Sequence, residues 1–225
     1  MGGAYPLRQC AVMDKEEQKH MDRVEEARRT LLALYGGSHS PLEESDPDFA
    51  AIKQRLVYGE LYAQEALDPV MRELILLAVA TTNQTMSEVK LHTCAALRSG
   101  ASPEAVKEAV YHCAPYIGLG KAEAAAAAVN EVLRTQGISL PLASQRTVSE
   151  EDRLTAGIAA QKSIFGPHID EMRAAAPNDK KPLQDYLSAY CFGDFYTRGG
   201  LDLQQRELMT FIIIASLGGC EPQLK

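Results

Sequence analysis

The sequence predicts an all-α helical bundle built on an internal repeat, and three observations predict it. Residues 74–80, Leu-Ile-Leu-Leu-Ala-Val-Ala, are apolar on every helical face, so in a water-soluble chain they form a helix buried on all sides. Helix punctuation surrounds this run: Asp68-Pro69 and Ser102-Pro103-Glu104 are capped starts, and Gly100 is a helix stop. A spaced set of residues in the first half also recurs in the second half at a constant offset.

In chain order, residues 1–13 have no periodicity and read as an N-terminal arm. Asp14 to Leu34 reads as an amphipathic helix with Val24, Ala27, Leu31 and Leu34 on one stripe, ending at Tyr35-Gly36-Gly37. A second Asp-Pro start, Asp46-Pro47, opens a helix through Phe49, Ile52, Leu56 and Tyr58. Three helices follow near 69–83, 86–99 and 103–114. Near-complete burial is expected of Leu74, Leu77 and Val79, and a core position of Cys94 and Cys113. Ala122 to Leu133 is an alanine-rich helix able to pack closely, and residues 136–149 turn to Gly, Ser and Pro and read as a linker.

Beyond the linker the pattern restarts. Arg153 and Phe165-Gly166 match Arg23 and Tyr35-Gly36 at an offset of 130. Phe192-Gly193-Asp194-Phe195-Tyr196, Leu201-Asp202 and Arg206-Glu207-Leu208 match Tyr58-Gly59-Glu60-Leu61-Tyr62, Leu67-Asp68 and Arg72-Glu73-Leu74 at 134. The expected organisation is a first repeat over 14–135, the linker, and a second repeat over 150–225 that stops where its next helix would begin. The helix after Asp202 is apolar all round, so it needs cover from the first repeat, from a neighbouring subunit, or from a continuation past Lys225, which is the reading favoured here.

The net charge of −7 disfavours nucleic acid and anionic membrane as partners, since both call for a basic surface. No apolar run is long enough to span a bilayer and no signal peptide is visible. Five cysteines without a CxxC or framework spacing point to free thiols in a reducing cytoplasm.

The chemistry-bearing residues centre on Glu73, Glu88 and His92. Glu73 lies one turn inside the buried helix, where a carboxylate needs a partner. Glu88 and His92 are four apart, share a helix face, and offer a proton donor and acceptor pair beside the small Ala95 and Ser99. A solvated surface contact is the alternative for that pair.

Roughly residues 50–135 resemble the carboxymuconolactone decarboxylase family and its alkylhydroperoxidase D-like relatives. The resemblance rests on Arg72-Glu73-Leu74, Glu88 to His92, Ala95-Ala96-Leu97, Ser99 to Glu104, Glu108 and Tyr116-Ile117-Gly118. In the peroxidase relatives the glutamate is followed at twelve, fifteen and nineteen positions by Cys, Cys and His; counting from Glu73 here gives Thr85, Glu88 and His92. Both thiols are absent, as in the decarboxylase branch. The family's Tyr-small-Gly-apolar-Pro corner has Gly120-Lys121 in place of the proline, which implies a looser, positively charged turn.

The resemblance implies an alkylhydroperoxidase D-like fold and cofactor-free, metal-free decarboxylation of a small carboxylated lactone from aromatic breakdown. His92 would be the proton donor, Glu88 its orienting partner, and Glu73 a buried relay. Arg72, Lys121, His112 and Tyr116 are candidate substrate-binding residues, His112 with a packed core histidine as its alternative. A trimer or hexamer-like assembly is also implied. Thiol peroxidase activity is disfavoured, and a non-enzymatic helical oligomer or binding module is the other reading. Convergence of Glu73, Glu88 and His92 on one enclosed site favours the enzyme.

Overall fold

The computed structural model describes residues 22–37, 40, 42–64 and 66–224, and among them there is helix and no strand. The expected arm over residues 1–13, and Cys10 within it, lie outside the described residues. Contacts divide the chain into two compact units, 1–68 and 69–225, so the division falls before the apolar helix and not in the segment read as a linker.

In the first unit, α1 is helical over residues 22–35 and buries Ala27, Leu31 and Leu34, three members of the predicted stripe, whereas Val24 is exposed. α2 (Pro47–Gln54) opens on the predicted proline and runs into a wide π-helical segment, Arg55–Leu61. The Arg23 guanidinium pairs with Glu60 Oε1 at 2.5 Å, and Tyr35, Tyr58 and Tyr62 form an aromatic chain with centroid spacings of 5.8 and 5.1 Å.

The second unit contains α3 (Pro69–Thr82), α4 (Met86–Arg98), α5 (Pro103–Ile117), α6 (Leu119–Thr135), α7 (Arg153–Phe165), α8 (His168–Ala175), α9 (Lys181–Tyr186) and α10 (Leu203–Leu217). α9 continues into a second π-helical segment, Leu187–Tyr196. The contacts of the first unit recur here at the matched positions. Arg153 pairs with Asp194, and Phe165, Phe192 and Tyr196 form an aromatic chain with spacings of 6.0 and 4.7 Å.

The matched glycines explain why each π segment lies so close to its partner helix. A Cβ on Gly59 would overlap the Arg23 carbonyl oxygen, and one on Gly193 would overlap that of Arg153. Only glycine lets the two backbones approach this far.

α3 is the centre of the main core. Leu74 and Leu77 are inaccessible, as expected, and Cys113 and Val89 pack in the same cluster. Val79 is only half-buried, and so is Leu76, so the helix is not sealed on every face. The apolar run overstated the burial because hydrophobicity alone does not reveal which stripe lacks a covering helix. Cys94, expected in the core, is half-buried as well. α10 is covered by α3 and α5 through Met209 and Ile213, while Phe211 and Leu217 face outward.

Three local readings need adjustment. α5 runs on to Ile117 with Pro115 inside its last turn, where the proline nitrogen has no N–H to give to the carbonyl one turn back. The Gly120-Lys121 corner is not a loose turn: Gly118, at φ +93°, reverses the chain, and α6 begins at once with Leu119. The segment 138–149 carries no helix, yet Ile138, Leu140 and Leu142 pack against the main core.

Candidate active site

α3 and α4 are joined by a tight turn in which Gln84 adopts φ 59° and its amide donates to the Thr81 carbonyl at 2.6 Å. The turn makes the helices antiparallel neighbours, so a residue one turn into α3 meets one midway along α4. Glu73 and His92 are that pair. His92 Nδ1 and Glu73 Oε2 lie 2.9 Å apart; Glu73 is 0% exposed and His92 7%. The other Glu73 oxygen, Oε1, is buried with no hydrogen-bond partner among the described residues. A carboxylate with one of its two oxygens unpartnered in the interior is costly, so its bond to the imidazole carries most of its compensation.

The opposite ring nitrogen, Nε2, faces Glu88. That distance is 3.6 Å, and the Glu88 side chain is 34% exposed. The three groups therefore form a line from interior to surface: a sealed carboxylate, a nearly buried imidazole and a half-exposed carboxylate. With Nδ1 engaged by Glu73, the ring presents Nε2 toward Glu88 and the surface. The i,i+4 spacing puts Glu88 beside His92, but the short bond that orients the ring belongs to Glu73.

The positions of the absent thiols are Thr85 and Glu88. Thr85 closes the α3–α4 turn, its hydroxyl donating to the Ala80 carbonyl at 3.3 Å. Cys94 lies two residues past His92, and burial raises its thiol pKa, with Arg98 opposing more weakly. Among the described residues, no group of three or more His, Cys, Asp or Glu side chains could hold a metal ion. No helix among them is long and apolar enough to cross a membrane.

The four predicted binding residues come from three helices, α3, α5 and α6. Arg72 is half-buried on α3 next to Glu73. Lys121 is exposed at the start of α6, its carbonyl accepting from Gln84 Nε2 at 3.4 Å. His112 and Tyr116 belong to a second polar cluster with residues of the C-terminal half. His112 is inaccessible, with Nε2 3.0 Å from the Arg206 carbonyl oxygen and 2.9 Å from Thr210 Oγ1. Tyr116 Oη lies 3.0 Å from Tyr196 Oη and 2.9 Å from Thr210 Oγ1, and the Tyr196 hydroxyl donates to Glu207 at 2.7 Å. Burial pushes both tyrosines well above the usual phenol range. Burial, reinforced by the nearby Arg206 charge, lowers His112 to about 3. His112 is thus a neutral, packed histidine.

Beside that cluster lies a buried ion triad that sequence reading missed. Glu108 is 1% exposed and takes hydrogen bonds from Arg198 Nε at 2.9 and 3.0 Å and from Arg206 at 3.1 Å. Burial pulls the Arg206 pKa down while Glu108 opposes it. Glu108 was visible as part of a motif, but its partners are 90 and 98 positions away, a separation that no local periodicity reports.

Comparison with known proteins agrees with the site's position in the chain. Residues 47–131 match the carboxymuconolactone decarboxylase family, a span that contains Glu73, Glu88 and His92. The chain is also similar to 4-carboxymuconolactone decarboxylase of Acinetobacter baylyi, 29% identical over 98 residues, which is 44% of this chain and 73% of that protein. Residues 47–131, which carry the Glu73–His92 pair, are thus the part of this chain that is similar to the carboxymuconolactone decarboxylase family.

Proposed function

We propose that the chain decarboxylates a small carboxylated, unsaturated lactone without a cofactor, using His92 as proton donor and Glu73 as the group that orients it. The observation that carries this reading is the 2.9 Å bond between a fully buried carboxylate and a nearly buried imidazole. Such a bond fixes the ring and its tautomer, as the carboxylate does in triad chemistry. The similarity to 4-carboxymuconolactone decarboxylase supplies the substrate class.

In the reaction, the bond between the ring carbon and the carboxylate breaks and CO2 leaves. The electron pair delocalises into the lactone carbonyl as a dienolate. His92, protonated on both nitrogens, transfers its Nε2 proton to carbon and keeps its Nδ1 proton on the bond to Glu73. Solvent then restores the lost proton past Glu88, the half-exposed member of the line. Arg72 and Lys121 are the cations assigned to the substrate's carboxylate and the developing oxyanion.

The recurrence of the arginine–carboxylate pair, the close glycine and the aromatic chain supports reading the chain as a tandem repeat. Self-association into a trimer or hexamer-like assembly is part of the same proposal. It is supported by exposed apolar residues at matched positions, Phe49 and Ile52 on α2 and Leu183 and Tyr186 on α9. Sedimentation at micromolar concentration tests it, and a monomer would contradict it.

Incubation with 4-carboxymuconolactone, monitored by CO2 release, tests the activity. Turnover that disappears in His92→Gln supports the proposal. Absence of turnover across a panel of carboxylated lactones would favour a binding module that kept the fold.

A further inference from the structure

A cavity of about 390 Å³ lies between α5, α6 and the segment after α6, and none of Glu73, Glu88 and His92 lines it. Its size is within the range of small-molecule sites. α5 contributes Glu104, Lys107, Glu108 and Tyr111, spaced so that they share one helix face. Asn130 and Arg134 come from α6, Leu140 to Gln145 form the opposite wall, and Arg198 closes one side.

This wall is held in place. Gly199 donates its N–H to the Gln145 carbonyl at 2.9 Å, and Thr147 donates to the Thr197 carbonyl at 2.7 Å. The connecting segment is thereby fastened on both sides of Arg198, so the cavity is preformed.

Its charge runs against that of the whole chain. Glu108 is shared by two guanidiniums, Arg198 and Arg206, so this buried triad keeps one uncompensated positive charge. Lys107 bonds to the neutral Asn130 Oδ1 at 2.6 Å and stands 5.4 Å from the Tyr111 ring centre, which Arg198 also faces at 5.6 Å. Arg134 is exposed and adds another cation, with Glu104 the opposing charge at the wall. A concave site with surplus cations, in a protein of net charge −7, selects an anion. The remaining surface is Leu140, Pro141 and Leu142, which suits an apolar body.

We infer that this cavity is a second ligand site, which binds a small carboxylate with a compact apolar body. The carboxylate is held by Lys107 and Arg134, and the body rests on the Leu140–Leu142 wall.

Benzoate is the probe, with benzyl alcohol as its uncharged counterpart, titrated calorimetrically against the full chain. The expected result is saturable benzoate binding that weakens about tenfold or more in Lys107→Met and in Arg134→Gln, the scale of a lost charge-assisted contact. Binding should also weaken with added salt and persist in His92→Gln. Arg134 is on the surface, so its variant reports even if Lys107→Met does not fold. Absence of saturable benzoate binding would overturn the inference. So would equal binding of benzyl alcohol, unchanged affinity in Arg134→Gln, or loss of binding in His92→Gln.

Discussion

Glu73 Oε2 and His92 Nδ1 lie 2.9 Å apart across the α3–α4 pair, while Glu88, on the same helix as His92, stays 3.6 Å from the other ring nitrogen. The distances rank the two carboxylates. Glu73 is sealed and fixes the ring, whereas Glu88 is half-exposed and stands farther from it. Glu88→Gln should therefore reduce turnover about tenfold, and Glu73→Gln about 100-fold or more, within the range of general acid–base contributions. Steady-state kinetics of the two variants check this. Equal effects would return the orienting role to Glu88.

The pKa of His112 makes stability depend on pH. Its folded pKa of about 3 lies below the ordinary value of 6.5, so between those limits the unfolded chain binds the extra proton. Stability conferred by neutral burial is complete above pH 6.5 and declines as pH falls toward 3, by at most about 1.4 kcal/mol per pH unit. Urea unfolding at pH 7 and pH 5 should show a larger loss for the wild type than for His112→Gln. Equal losses would mean that His112 is not buried neutral.

The Glu108 triad should be fragile from one side. Glu108→Gln leaves Arg206, fully buried, beside Arg198 without a counter-charge. Removing one partner of a buried pair costs roughly 3–5 kcal/mol. Denaturant unfolding measures it, and a loss below about 1 kcal/mol would show that water already compensates Arg206.

The matched glycines make a paired prediction. Gly59→Ala and Gly193→Ala each place a methyl group against a backbone oxygen that cannot rotate away. Each should destabilise by about 1–3 kcal/mol or more, as overpacking does. A neutral effect at either glycine would show that its two backbones separate easily.

The legible parts of the molecule were those with local signals. Asp-Pro and Ser-Pro starts and Gly100 fixed the limits of α3, α4 and α5 to within three residues, because capping chemistry is local. Glu73 and His92 were legible through their motif spacing, and Glu88 through its helical period. Which carboxylate takes the short bond was not legible, since it depends on how α3 and α4 face each other. His112 and Tyr116 were placed with the substrate because they sit one turn apart on a motif helix. Their actual partners, Thr210 and Tyr196, are 80 to 98 positions away. The close turn at Gly118 was not legible because Gly120-Lys121, standing in place of the family's proline, implies a looser turn, whereas the positive φ at Gly118 already reverses the chain.

The most direct test of the account is single-turnover decarboxylation of the carboxylated lactone by the wild type and His92→Gln, with folding of the variant verified by its melting temperature. The predicted result is CO2 release by the wild type and a loss of about 100-fold or more in a variant that remains folded. Wild-type rates in folded His92→Gln would contradict it and reduce the buried Glu73–His92 bond to a structural contact.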